Sequence, residues 1–260
     1  MKHRFEIVII LFFSVFVLFP SMGFPEEMQG IDSTYQRANK LYDQKKYAKA
    51  REIYEEICRR GDPPVAALYN LGNSCARMGD TGAAVLYYTR ASRVAPRDSD
   101  IRGNLVRVEP QINRSDIFFL LKPLAWIKNR LSLDEWSVLA SIFLFLAGVC
   151  MGLHFLFRRE GPTRIFRRMG ILFIACLVLS GTFLSLKAYG EIVIETAVVM
   201  KPDTLSRSGP GDQFEEIHKL PAGTKVRVIS SPQNGWVRIR LMDGRSAYLP
   251  LTSLRNVSDS

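Results

Sequence analysis

Apolar and polar positions alternate along the chain in three different textures. Between Ile31 and Val108 the apolar residues recur at helical spacing, with small residues at Ala38, Ala50, Gly72 and Ala84 and aromatics at Tyr54 and Tyr88. That pattern predicts pairs of amphipathic helices packed closely together. Trp136 to Phe157 carries no charged residue in 22 positions, and Met169 to Leu186 none in 18. Each run is long enough to cross hydrocarbon as a helix, and the short connection between them predicts a transmembrane hairpin. From Thr196 onward the period shortens to two, in Val226/Val228, Val237/Ile239/Leu241 and Tyr248, with Asn234-Gly235 and Asp243-Gly244 as turns. Five or six short strands closing into a small barrel are expected there. The fold class read from the pattern is a multidomain membrane protein: all-α helical hairpins, a transmembrane helical hairpin and an all-β small barrel.

The ends and connections refine this organisation. Residues 1–23 have a basic start (Lys2, Arg4), a 13-residue apolar run from Ile7 to Phe19, then Pro20 and Ser21-Met22-Gly23. This is the layout of a secretory signal peptide, with an uncleaved anchor as the alternative. Residues 158–168 hold five arginines and one acid, which by the positive-inside rule keeps that loop in the cytoplasm. Both flanking regions then lie on the other side, as the signal peptide also requires. The expected location is the bacterial inner membrane, with the N- and C-terminal domains periplasmic or extracellular. Ile117 to Leu131 is apolar but broken by Lys122 and Pro123; within a 115–135 linker it reads either as a helix in the membrane interface or as one packed on the preceding domain. Gly148 and Gly152 in the first span (136–157), and Gly181 and Ser185 in the second (169–189), permit close helix packing. Cys150 and Cys176 stand eight residues from either side of the arginine loop and are expected at similar depth.

Comparing the chain with itself at a shift of 34 residues aligns Val65–Asp98 with Ile31–Pro64. Leu68, Leu71, Gly72, Cys75, Ala84, Tyr88, Ala91 and Pro96 fall where the tetratricopeptide repeat has its motif residues, and Ala38, Leu41, Ala50, Tyr54 and Ile57 answer them in the earlier copy. Residues 26–114 therefore resemble a tetratricopeptide repeat domain. Asp98 to Val108 supplies a capping helix, with Asp98 or Ser99 as N-cap and Leu105 on the next motif leucine. In that family the first helix of each repeat lines a groove for peptides or partner helices. The matching positions are Tyr35, Asn39 and Asp43, then Tyr69, Asn73 and Arg77. The resemblance would have Asn39 and Asn73 grip a ligand backbone, with Arg107 where a third asparagine would stand; as plain residues they equally solvate a helix face. Cys58 and Cys75, on adjoining helices, could pair in an oxidising compartment.

Residues 196–257 resemble the bacterial SH3-like domain through Arg207-Ser208-Gly209-Pro210, Gly223-Thr224-Lys225-Val226, Gly235-Trp236-Val237 and Asp243-Gly244-Arg245. Tyr248 stands where that family usually has tryptophan. Members often bind cell-wall peptides or proteins, which makes Arg207, Trp236, Arg245 and Tyr248 the candidate surface. Trp236 as a core residue is the competing reading.

Composition then removes several function classes. The net charge is +10, but the 11 residues of the arginine loop carry four of those charges, so nucleic acid is not an expected partner. The three histidines are scattered and the four cysteines follow no ligand spacing, which leaves no metal site to expect. No nucleophile elbow, Walker loop or zinc-protease helix is present, so neither catalysis nor a cofactor is expected. Few ionisable residues lie inside the spans, which argues against transport. The whole order resembles the BatE-type proteins of bacterial aerotolerance (Bat) operons, including Leu131-Ser132-Leu133-Asp134-Glu135-Trp136 before the first span. That resemblance implies a membrane scaffold working with von Willebrand A-domain membrane proteins and a MoxR-type ATPase. A peptidoglycan-binding sensor or adaptor is the alternative.

Overall fold

A computed structural model describes residues 27–61, 63–110, 122–157, 163–241 and 244–258. The signal-peptide expectation, half of the arginine loop and Asp243 lie outside the described residues. Among the described residues five helices come first: α1 (Glu27–Asp43), α2 (Tyr47–Arg59), α3 (Val65–Arg77), α4 (Thr81–Val94) and α5 (Ser99–Val108). Each packs on its neighbours in sequence. The α1–α2 and α3–α4 turns are equivalent at a shift of 34: Lys45 has a φ of 60° and Gly79 a φ of 77°. Asp80 caps α4 by accepting from Ala83 N, and Asp98 caps α5 by accepting from Asp100 N and Ile101 N. Tyr54 and Tyr88 are buried between helices. A Cβ on Gly72 would sit 2.7 Å from the Tyr88 ring, so the absence of a side chain there is what admits the tyrosine.

Helix α6 (Lys122–Lys128) follows. Pro123 lies within α6, and residues 117–121 of the apolar linker lie outside the described residues. Helices α7 (Leu133–Leu156) and α8 (Arg164–Ala188) form the hairpin, and α8 runs on into a π turn at Tyr189–Val193. Both are long and apolar enough to cross a membrane, and they expose rather than bury large side chains such as Leu144, Phe155, Leu172 and Val178. The first begins at Leu133 instead of 136, because Ser132 and Glu135 form a capping box. The second begins at Arg164 instead of 169, so three of the loop arginines are helical.

Aromatic stacking fixes the hairpin register: Trp136 on Phe183, Phe143 on Phe173 and Phe157 on Phe166. That register corrects two expectations. Gly148, Gly152 and Gly181 each face open space, and the close approach is instead at Gly170, whose Cβ position lies 3.6 Å from the Cys150 Cβ. Cys150 is therefore level with Gly170 and not with Cys176, since α8 starts at Arg164, inside the arginine loop. At the far end Lys187, 3% exposed, donates from Nζ to Leu131 O at 2.6 Å and pairs with Glu191 at 3.3 Å.

The C-terminal part is one antiparallel sheet of seven strands in the order β3-β2-β6-β5-β4-β1-β7: β1 (Thr196–Val199), β2 (Thr204–Arg207), β3 (Glu216–Leu220), β4 (Lys225–Val228), β5 (Trp236–Arg240), β6 (Ser246–Pro250) and β7 (Leu254–Asn256). This is more strands than expected. Asn234 and Gly235 both have positive φ, as a two-residue hairpin turn needs. Ala197, Val199, Val226, Val237, Ile239, Leu241, Ala247 and Leu249 make the core of the sheet. Burial alternates cleanly along β5 and β6.

The helical and β parts are not independent modules on one anchor. Val198 and Val257 belong to the helical core. A Cβ on Gly82 would lie 2.7 Å from Met200 O, and one on Gly223 3.0 Å from Val85 Cγ2. Lys225 pairs with Glu109 at 3.1 Å with both side chains largely buried. Arg90 donates to Val257 O at 3.0 Å and Asn256 O at 3.1 Å. The face of α4 that carries these contacts explains why Gly82 through Thr89 are all buried: one side of the helix meets its helical neighbours and the other meets the sheet.

Candidate functional site

Among the described residues two surfaces combine residues in ways that could hold a partner: the seam of α1, α3 and α5, and a cleft between the helical and β parts. On the seam, Tyr54 Oη donates to Asn39 Oδ1 at 2.6 Å and Asn70 Nδ2 to the same oxygen at 3.2 Å; Asn70 Nδ2 also reaches Tyr35 Oη at 2.9 Å. Thirty-four residues later the arrangement repeats. Tyr88 Oη donates to Asn73 Oδ1 at 2.6 Å, Asn104 Nδ2 to that oxygen at 3.1 Å, and Asn104 Nδ2 to Tyr69 Oη at 3.1 Å. Asn73 Nδ2 faces Asn70 Oδ1 at 3.5 Å, and Arg107 donates to Asn104 Oδ1 at 3.0 Å. The result is one continuous chain of side-chain hydrogen bonds from Asn39 through Asn70, Asn73 and Asn104 to Arg107.

Four of the six groove residues expected from the sequence, Tyr35, Asn39, Tyr69 and Asn73, are thus engaged with the protein's own side chains. The side-chain oxygens of the two asparagines are satisfied internally. Asp43 and Arg77 lie on the exposed surface of the same seam, Arg77 beside Tyr42. Asn70 and Asn104 were missed, although their spacing of 34 was legible. Burial raises the pKa of the Tyr54 and Tyr88 hydroxyls, which keeps them as donors.

The cleft has a volume of about 940 Å³. Glu55, Arg59 and Arg90 come from the helices, and Glu195, Ile229 and Arg255 from the β part and the segment leading into it. Cys58 lies at its helical wall. Both Cys58 and Cys75 are free thiols, so the disulfide considered from sequence is not formed. Burial pushes Cys58 up to about 11 and Cys75 up to about 12, which leaves both protonated and weakly nucleophilic near neutrality.

On the β part, Tyr248 stands opposite Arg207 across β2–β6 and opposite Arg238 across β5–β6, while Trp236 stands opposite Pro250. Directly opposed residues project to the same side of a sheet, as do residues two apart. Arg207, Trp236 and Tyr248 therefore share the outer face. Trp236 is half-buried and sits outside the core, where the competing reading had placed it. Arg207 is held by the Phe214 carbonyl at 2.8 Å and by Glu216 at 3.2 Å. Arg245 lies apart, at the β5–β6 turn against the His218 ring.

The bacterial SH3 domain family matches residues 207–253, from the last residue of β2 to the turn before β7. No curated protein matches the chain. The matched segment excludes β1 and β7, the two strands whose Val198 and neighbouring Val257 reach into the helical core.

Proposed function

We propose that this protein is a membrane-anchored interaction scaffold whose helical and SH3-like parts act as one rigid platform. The observation that carries the reading is the docking of the two parts through Gly82, Arg90 and the Glu109–Lys225 pair, which leaves the cleft lined by both. Separate binding modules would have no reason to bury these groups against each other. The 34-residue recurrence of the Tyr–Asn–Tyr–Asn cluster supports reading residues 26–114 as tetratricopeptide-type repeats with a cap. Exposed apolar surface along α7 and α8 supports membrane insertion. The arginines at one end of the hairpin support a cytoplasmic connection with both soluble parts on the opposite side. On the resemblance to BatE-type proteins, the partners are von Willebrand A-domain membrane proteins and, through them, a MoxR-type ATPase.

Affinity capture from membranes with the hairpin intact tests this. Partner recovery should fall with Asp43→Ala plus Arg77→Ala on the seam, or with Arg59→Glu plus Arg255→Glu in the cleft; unchanged recovery with both pairs would sink the scaffold. An alkaline phosphatase fusion after Pro110 should be active and one after Gly161 inactive, and the reverse pattern overturns the topology. The family match supports a second reading, a peptidoglycan-binding adaptor. Sedimentation of the full chain with purified peptidoglycan decides it, since a chain left entirely in the supernatant removes that role.

A further inference from the structure

The register of the sheet gathers arginines at one end of its outer face. Arg227 on β4 stands directly opposite Arg240 on β5, and Arg238, two residues back along β5, projects to the same side. All three are exposed. Like charges directly opposed in a ladder repel one another. Among the described residues no carboxylate lies within ion-pair distance of any of the three; Asp212 and Glu216 are engaged by Arg207, Glu109 by Lys225 and Glu191 by Lys187. Glu195 pairs through its carbonyl with Val228 N and lines the cleft, on the other side of the ladder.

The position of this cluster suggests what neutralises it. Thr196, the first residue of β1, stands opposite Arg227. The π turn that ends the second long helix stops at Val193, so the chain travels three residues, at most about 10 Å, before reaching that row. Arg227 and Arg240 then follow sideways at roughly 5 and 10 Å, one and two strand spacings away. Tyr189 and Ile192, 58% and 69% exposed, mark the end of the apolar surface. By that path the two arginines lie at most about 15 and 20 Å from the end of the second long helix, within roughly two Debye lengths of where headgroups would lie.

We propose that Arg227, Arg238 and Arg240, flanked by Tyr248, form a docking face for the phosphate groups of anionic lipids in the bilayer that the hairpin enters. The inference rests on the membrane reading above. Guanidinium forks suit phosphate oxygens, and lipid binding relieves the repulsion between Arg227 and Arg240. Engagement holds the rigid pair of modules against the membrane and fixes the direction in which the cleft opens.

The test uses the full chain in nanodiscs of phosphatidylcholine, alone or mixed with phosphatidylglycerol, with phenylglyoxal modification mapped residue by residue. Arg227, Arg238 and Arg240 should react about fivefold more slowly in the anionic discs, the attraction expected per basic residue near such a surface. Rates should return to the neutral-disc value at about 1 M salt, where screening is nearly complete. Arg37 and Arg102, exposed on the helical part, should not change. Equal rates in the two discs, with Cys150 and Cys176 inert to an impermeant maleimide, overturn the face and leave the membrane reading standing. Loss of the protein from the discs with both thiols reactive overturns both. Equal protection in neutral discs by glycerol phosphate assigns the face to a soluble phosphate, and by an acidic peptide to a protein partner; either overturns the lipid assignment. The variant R227Q/R240Q should melt no lower than the parent in neutral discs, and a clear fall would mean that the arginines serve the fold instead.

Discussion

The Tyr88 hydroxyl donates to the Asn73 side-chain oxygen at 2.6 Å, and Tyr54 repeats the bond to Asn39 at the same distance one repeat earlier. Both tyrosines are almost fully buried, so each bond satisfies a hydroxyl that has no access to water. Tyr88→Phe removes one hydrogen bond and should cost about 1 kcal/mol. Asn73→Ala leaves both the Tyr88 hydroxyl and the Asn104 amide short of an acceptor and should cost about 1–3 kcal/mol. Chemical denaturation followed by circular dichroism measures the difference. If Asn73→Ala weakens partner capture without any loss of stability, the asparagine serves a ligand after all.

Gly82 sets how closely α4 approaches the sheet. A methyl group there meets the Met200 carbonyl oxygen and Cα at 2.7 and 2.8 Å, both backbone atoms that cannot swing aside. Gly82→Ala should loosen the union of the two parts. Hydrogen exchange at Met200 and Val257, whose amides bond to Ser253 O and Thr196 O, should quicken by an order of magnitude or more, about 1.4 kcal/mol per factor of ten in local opening. Exchange within α1 should stay as it is.

The hairpin register makes a covalent prediction. Gly170 and Cys150 hold Cβ positions 3.6 Å apart, inside the range of about 3.5–4.5 Å that a disulfide needs. Gly170→Cys, in a Cys176→Ser background, should cross-link to Cys150 on mild oxidation. The native pair Cys150 and Cys176 should not, and a Cys150–Cys176 disulfide in the parent would refute the register.

Cys58 and Cys75 titrate upward because burial penalises their thiolates. In the unfolded chain both ionise near the ordinary value of 9.0. Their contribution to stability is therefore complete below about pH 9 and is lost as pH rises through about 11 for Cys58 and about 12 for Cys75. Melting temperature should fall as pH rises above 9, and Cys58→Ala should flatten the decline between pH 9 and 11. Alkylation at pH 8 followed by peptide mapping should find both thiols unmodified until denaturant is added.

Much of this was written locally in the chain. Each repeat carries its own helix periodicity and its turn at Lys45 or Gly79, Asp80 and Asp98 cap the helices that follow them, and the hairpin turn at Asn234-Gly235 specifies itself through positive φ. These features depend on neighbours within a turn or two, so residue types and spacing determine them. The seam residues Tyr35, Asn39, Tyr69 and Asn73 could be located by the same means. Their partners could not, because Asn70 and Asn104 act across helices and only their spacing of 34 hints at it.

What the tertiary structure decided involves surfaces whose partner is distant in sequence. Helical spacing predicted an amphipathic helix there, whereas Gly82 to Thr89 are all buried because the second side is covered by Val198, Met200 and Val257. Helical rise gave Cys150 and Cys176 equal depth, and only stacking of Trp136 on Phe183 moved Cys150 level with Gly170. Alternation put Arg227, Arg238 and Arg240 on an outer face, while strand order and register made Arg227 and Arg240 neighbours next to the end of the second long helix. Local spacing fixes which way a side chain points; the element that meets it is chosen by long-range packing, which depends on the shapes of both surfaces at once.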